Sequence, residues 1–96
     1  MKVDYHPEAR EEFLPAIDYS EKTFGTGESL RRDVDAIHKL LLQYPEMGED
    51  EEGELRRYVL SNVPFSIIYT HDGEAIFILA LMHNAREPAY WKERFE

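Results

Sequence analysis

The sequence predicts an α+β domain of order β-α-α-β-β-β, in which a helical hairpin packs on a mainly antiparallel sheet and a short helix ends the chain. Three observations carry that prediction. Between residues 7 and 44 apolar side chains twice recur at helical spacing. From residue 54 the period changes to two, and the alternating runs are broken by Asn62-Val63-Pro64 and by His71-Asp72-Gly73-Glu74, the latter an Asp-Gly hairpin signal. No repeat, low-complexity tract or linker divides the 96 residues, so 1–96 reads as a single domain.

Taken in order, Met1 to Tyr5 alternates Val3 and Tyr5 against Lys2 and Asp4, the pattern of an edge strand. Pro7 suits the first turn of a helix, and Glu8, Glu11 and Glu12 favour its positive end. Ala9, Phe13, Ile17 and Phe24 supply the buried side of this helix, which should stop at Gly25-Thr26-Gly27. Pro15 lies inside the pattern, where it removes a backbone donor and crowds the preceding turn at about 3 kcal/mol in an ideal helix; a kink near Glu11 to Pro15 is expected. The second helix is expected from Glu28 to Tyr44, with Leu30, Val34, Ile37, Leu41 and Tyr44 as its buried stripe and Pro45 as its stop. The short Gly-Thr-Gly connection makes the two helices antiparallel.

The strands follow. Glu54 to Ser61 puts Leu55, Arg57 and Val59 on one face and Arg56, Tyr58 and Leu60 on the other. Phe65 to Thr70 is aromatic and β-branched, and Ala75 to Met82 is apolar on both faces, as expected of a central strand covered on both sides. Ala89 to Arg94 can form a last helical turn.

Composition narrows the function. There is no cysteine, so disulfides and Cys-based zinc sites are excluded, and a reducing, cytoplasmic setting is expected. The N-terminus lacks an apolar core of the signal-peptide kind, and no apolar run approaches the roughly 18 residues needed to cross a bilayer, so no membrane association is expected. The formal charge of −9 argues against unaided binding to nucleic acid or anionic membranes. Much of it is local: Glu46, Glu49, Asp50, Glu51, Glu52 and Glu54 form one acidic stretch, read here as a solvated loop.

Several segments together resemble the RelE/ParE superfamily of type II toxin–antitoxin toxins, most closely its ParE-like, plasmid-stabilisation branch. They are the helix opening His6-Pro7-Glu8-Ala9, with Ala16-Ile17-Asp18-Tyr19 beyond it, and Tyr44-Pro45-Glu46-Met47-Gly48 at the end of the second helix. Leu55-Arg56-Arg57-Tyr58 resembles the family's R-R strand, and Pro64-Phe65-Ser66-Ile67-Ile68-Tyr69 its aromatic strand. Met82 to Trp91 resembles its H-x-x-R-x-P-x-Y-W ending. The resemblance implies a toxin held inactive by a cognate antitoxin, which contacts operator DNA on its behalf, and it implies DNA gyrase as the target. The alternatives it leaves are a ribosome-dependent mRNA endoribonuclease of RelE type and a non-toxic relative that keeps an antitoxin partner.

For an endoribonuclease the resemblance singles out Arg86 and Tyr90 as catalytic, because 2′-hydroxyl attack needs a proton acceptor, a cation at the phosphate and a proton donor. Against that activity, Ser66 stands where RelE enzymes carry an arginine, and Glu51, Glu52 and Glu54 stand where they carry lysines. Enzymatic activity is therefore the less favoured reading. For a target-binding toxin the candidates are Arg56, Arg57, Arg86 and Trp91. Arg56 and Arg57 point to opposite faces, so at most one of them can join Arg86 in a patch. Leu14, Leu40 and Leu42, outside the main stripes, are candidates for antitoxin contact. His6, His38, His71 and His83 have no metal-site spacing, and neither a metal nor another cofactor is expected. His83 is expected to fix the loop that follows it.

Overall fold

The computed structural model describes residues 2–51, 53–60, 64–85 and 94. In chain order the elements are β1 (Lys2–Tyr5), α1 (Pro7–Phe24), α2 (Gly27–Gln43), β2 (Glu49–Asp50), β3 (Arg56–Val59), β4 (Phe65–His71) and β5 (Ala75–His83). The expected helical turn at Ala89 to Arg94 lies outside the described residues except for Arg94 itself, which is helical.

The first helix starts as its sequence dictates. His6 is extended and its Nδ1 accepts the Glu8 N–H at 3.1 Å, while Pro7 occupies the first helical position, where no backbone donor is needed. The helix continues through Pro15, because Glu11 and Pro15 both lie on its exposed side, where the carbonyl deprived of a donor meets water. Gly25 ends it in the left-handed conformation (φ 69°), with its N–H on the Glu21 carbonyl. In α2, Leu30, Val34, Ile37 and Leu41 are buried as expected. Tyr44 is not: it leaves the helix at φ −132°, ψ 74° and is 61% exposed, since the residue before a proline is pushed out of helical geometry.

The sheet has the order β1-β5-β4-β3-β2. β1 runs parallel to β5 and the other neighbours are antiparallel. At the β4–β5 connection Asp72 accepts the N–H groups of Glu74 and Ala75, both at 2.9 Å, and these bonds hold its carboxyl below the usual carboxylate range. The acidic stretch contains a strand that the sequence did not predict: Glu49 pairs with Arg57 and Asp50 with Arg56, opposite charges facing across the ladder. Glu54 lies outside β3, which is shorter than the alternating run implied.

Both helices cover one face. Leu30, Val34, Leu41, Ile67, Tyr69, Ile76, Ile78 and Leu81 form the core there. A second cluster, Leu55, Ile68, Leu79, Ala80 and Met82, occupies the opposite face, so β5 is apolar on both sides as its unbroken sequence implied. A register shift against Ile68/Tyr69 places Ile68 opposite Ala80 and Tyr69 opposite Ile78, which leaves Leu79 as an extra residue in β5. β1 reaches only to Ile78, whose carbonyl accepts the His6 N–H at 2.8 Å; beyond that point no strand among the described residues lies beside the edge of β5, and α1 packs against β5.

Candidate functional site

β3 delivers its two arginines to opposite faces, and the faces use them differently. Arg56 lies on the helix side, opposite Tyr69. Its Nη1 donates to the carbonyls of Glu46 (3.1 Å) and Gly48 (2.9 Å) and lies 3.3 Å from Asp50 Oδ1. The Tyr69 hydroxyl donates to the Pro45 carbonyl at 2.7 Å and accepts the Gly48 N–H at 2.9 Å. Burial raises the Tyr69 pKa, so the group stays a phenol and can make both bonds. Arg56 and Tyr69 thus bind the segment that joins α2 to β2. Gly48 is there because a Cβ would come within 2.8 Å of the Tyr69 ring and hydroxyl.

Arg57 is on the other face. Its Nε donates to Ser66 Oγ at 3.3 Å and its Nη2 to Asn84 Oδ1 at 3.4 Å, while Ser66 Oγ donates to the same Asn84 oxygen at 2.5 Å. Glu51 Oε2 lies 3.8 Å from Nη1. Ser66 is completely buried. Among the described residues this patch therefore holds one cation, Arg57, faced by a carboxylate, a hydroxyl and an amide. Arg86 follows Asn84 by two positions but, like Tyr90 and Trp91, lies outside the described residues.

A third feature is a groove of about 660 Å³ between α1 and the unpaired half of β5, lined in part by Glu8, Glu11, Glu12, Pro15, Tyr19 and Leu81. Arg94 closes one side of it. Its Nη1 donates to Glu12 Oε1 at 2.8 Å and to the Leu79 carbonyl at 2.9 Å, its Nη2 reaches Glu12 Oε2 at 3.1 Å, and its Nε lies 3.2 Å from Glu8. Glu12 Oε1 also accepts the Leu81 N–H at 3.2 Å. The Leu79 carbonyl and the Leu81 N–H, which β1 does not reach, are thereby satisfied by side chains. At the far end His83 Nδ1 accepts the Ala85 N–H at 3.1 Å, which leaves the proton on Nε2 to donate to the Tyr19 hydroxyl at 3.3 Å. His83 fixes the turn after β5, as its position in the sequence implied.

Of the residues proposed for antitoxin contact, Leu14 is 67% exposed on α1 and Leu40 39% exposed on α2, whereas Leu42 packs against the core. Away from these surfaces, the Tyr5 hydroxyl hydrogen-bonds to His38 Nε2. Burial pushes Tyr5 up to about 12, helped by Asp35 and opposed by Arg10, and burial lowers His38 against the pull of Asp35. Among the described residues no group of three or more His, Cys, Asp or Glu side chains converges as a metal site would require, and no helix is long and apolar enough to cross a membrane.

The arginine patch, the acidic groove and the pinned α2–β2 segment had partial signals in the sequence. Arg57, Tyr69 and Gly48 sit in the segments that carried the family resemblance. The Arg94–Glu12 clamp had none, because its partners are far apart in the chain and neither belongs to a motif.

A helical hairpin on a sheet of this order, with the R-R strand next to the aromatic strand, agrees with the fold expected of the RelE/ParE superfamily. The chain belongs to the family described as "ParE toxin of type II toxin-antitoxin system, parDE", whose model matches residues 3–88. Its fold is similar to a chain in a solved structure described as "Chromosomal ParDE TA system from P. aeruginosa", with a TM-score of 0.69 and 23% identity over 86% of this chain and 95% of that one. No curated protein matches the chain. As the toxin of a type II pair, this protein has an antitoxin for a partner.

Proposed function

We propose that this ParE-family protein acts in the cytoplasm by binding a macromolecular target, DNA gyrase before any other, rather than by cutting RNA. The observation that supports this reading is the setting of Arg57. Ser66, where a nuclease of the superfamily would carry an arginine, is buried and bonded to Asn84, and Arg57 is faced by Glu51. A phosphate would have to displace that carboxylate, in a chain of formal charge −9. Arg57, together with Arg86 and Trp91, forms the target-binding surface in this reading, and Arg56 shapes the segment beside it. The antitoxin neutralises the toxin by docking on the helical hairpin, with Leu14 and Leu40 as exposed apolar contacts and Leu42 behind them, and it alone contacts operator DNA.

The test is supercoiling by gyrase from the native organism. Purified protein at stoichiometric amounts is expected to inhibit it, and Arg57→Ala to relieve the inhibition. Normal supercoiling refutes the gyrase reading, and cleavage of messenger RNA on translating ribosomes would install the nuclease in its place.

A further inference from the structure

A second cavity, of about 610 Å³, lies at the His71 end of β4. One wall is the segment that follows α2, with Tyr44, Pro45, Glu46 and Met47; the other is the β4–β5 turn, with His71 and Gly73. Both segments, and the residues on either side of them, are described. Each wall is fixed by hydrogen bonds of its own. The Tyr69 hydroxyl binds the Pro45 carbonyl and the Gly48 N–H, Arg56 binds the carbonyls of Glu46 and Gly48, and the Met47 N–H donates to the Tyr44 carbonyl at 3.1 Å. Across the turn, Asp72 accepts the N–H groups of Glu74 and Ala75, and Gly73 takes the left-handed φ of 89° that other residues avoid. The cavity is thus formed before anything enters it, as small-molecule sites are.

The lining says which chemistry fits. Tyr44, 61% exposed, joins Pro45 and Met47 in an apolar surface. The charge nearby has one sign: Glu46 on the first wall, and Asp72 and Glu74 in the turn, all exposed. Among the described residues no lysine or arginine lines the cavity. The Tyr44 hydroxyl and the His71 ring make no hydrogen bond with a described residue, and each can accept an N–H from a ligand. An anion is repelled here, and a neutral apolar molecule gains nothing from the carboxylates. A cation with an apolar body gains from both parts, because an aromatic face and a carboxylate each attract it. The walls are short, residues 44–47 and 71–73, so the apolar surface offers no track for a helix or strand, and its volume falls within the roughly 300–1,000 Å³ of small-molecule sites.

We propose that this cavity binds a small organic cation, an aryl- or alkylammonium whose apolar body lies on Tyr44, Pro45 and Met47 and whose ammonium group faces Glu46. His71 follows Tyr69 by two residues and so shares the helix-covered face of the sheet, whereas Arg57 lies on the other. The site is therefore separate from the target-binding surface proposed above and stands or falls without it.

The test titrates the full chain at pH 8 with three probes of one shape: phenethylammonium as the cation, phenethyl alcohol as its neutral counterpart and phenylpropionate as the anion. Binding is read from amide NMR shifts, which also locate it. The cation is expected to move the signals of the two walls and to bind about fivefold tighter than the alcohol, with the anion weakest. Tyr44→Ala and Glu46→Gln should each weaken the cation by about threefold or more, and Tyr44→Phe, which keeps the ring, should restore most of the loss. Glu28→Gln makes the same charge change as Glu46→Gln about 24 Å from Tyr44 along α2, well beyond the screening length of roughly 8 Å, and should change affinity by less than about 1.5-fold. Equal binding of cation and anion overturns the proposal, as do equal losses in Glu28→Gln and Glu46→Gln, full binding by Tyr44→Ala, or shifts confined to residues outside the two walls. Failure of all three probes to move the wall signals overturns it as well.

Discussion

Removing the Glu12 carboxylate probes the clamp between α1, β5 and the end of the chain. In Glu12→Ala the Arg94 guanidinium, 10% exposed, loses a two-point partner at 2.8 and 3.1 Å, and the Leu81 N–H loses its acceptor. Breaking a buried ion pair from one side costs about 3–5 kcal/mol, because the remaining charge is left uncompensated. The pair here is not fully dry, as Glu12 is 15% exposed, and Glu8 still lies 3.2 Å from Arg94 Nε. The low end of the range applies, about 3 kcal/mol, which includes about 1 kcal/mol for the orphaned amide. Against a domain stability of roughly 5–15 kcal/mol this is a large share, and it should lower the urea midpoint by roughly 1–3 M. Arg94→Ala should cost less, since the Glu12 carboxylate, 15% exposed, keeps the Leu81 N–H and can take up water in place of the guanidinium. The double variant should be less destabilised than the sum of the two by about 1–2 kcal/mol. Urea unfolding followed by circular dichroism measures all three. A Glu12→Ala loss under about 0.5 kcal/mol, or additive single variants, would mean that the clamp does not hold the fold and that the account of the β5 edge is wrong.

Four further outcomes are expected. Tyr69→Phe leaves the Gly48 N–H and the Pro45 carbonyl without their partner and should cost about 1–3 kcal/mol by urea unfolding. Gly48→Ala drives a methyl to 2.8 Å from the Tyr69 ring and should destabilise by about 1–3 kcal/mol, and the Tyr69→Phe background should not rescue it fully because the ring remains. Gly25→Ala meets no atom within 4 Å, so its cost of about 1 kcal/mol is purely conformational; a larger loss would expose a contact the geometry does not contain. For His38 the folded pKa lies below the usual 6.5, so the unfolded chain takes up the proton first. Its contribution is present in full above about pH 6.5 and is lost as pH falls toward the folded value. Unfolding midpoints from pH 8 to 5 should decline less in His38→Gln than in wild type, and parallel profiles would refute this.

Much of the fold was legible because burial enforces a period. The α2 stripe and the two-faced apolar run of β5 each have one arrangement that hides their side chains. The Asp72 turn has a local chemistry that acts without the rest of the chain. The misreadings occurred where tertiary pairing outweighs local preference. Glu49 and Asp50 have poor strand propensity and form a strand only because Arg56 and Arg57 stand opposite. Tyr44 fits the helical spacing, yet the proline after it removes it from the helix one residue early. The Arg94–Glu12 clamp joins positions 82 residues apart, and nothing in a single sequence marks such a pair.

The acidic stretch bears directly on what the toxin can touch. Read as sequence, it is a run of solvated charge. Folded, Asp50 faces Arg56 and Glu51 faces Arg57, so the stretch neutralises the two arginines of the R-R strand. Arg56 is then committed to the carbonyls of Glu46 and Gly48, and Arg57, 23% exposed on the other face, has a carboxylate already at 3.8 Å. At that distance the contact is an ion pair without a hydrogen bond, and it can be exchanged for a better one. A protein carboxylate that offers two oxygens in the guanidinium plane makes that exchange at small cost. A nucleic-acid backbone must in addition come close to Glu49, which pairs with Arg57 across the ladder and repels phosphate. In the target-binding reading proposed above, an acidic side chain of a protein target is therefore the expected ligand of Arg57, and Glu51→Gln should strengthen that binding.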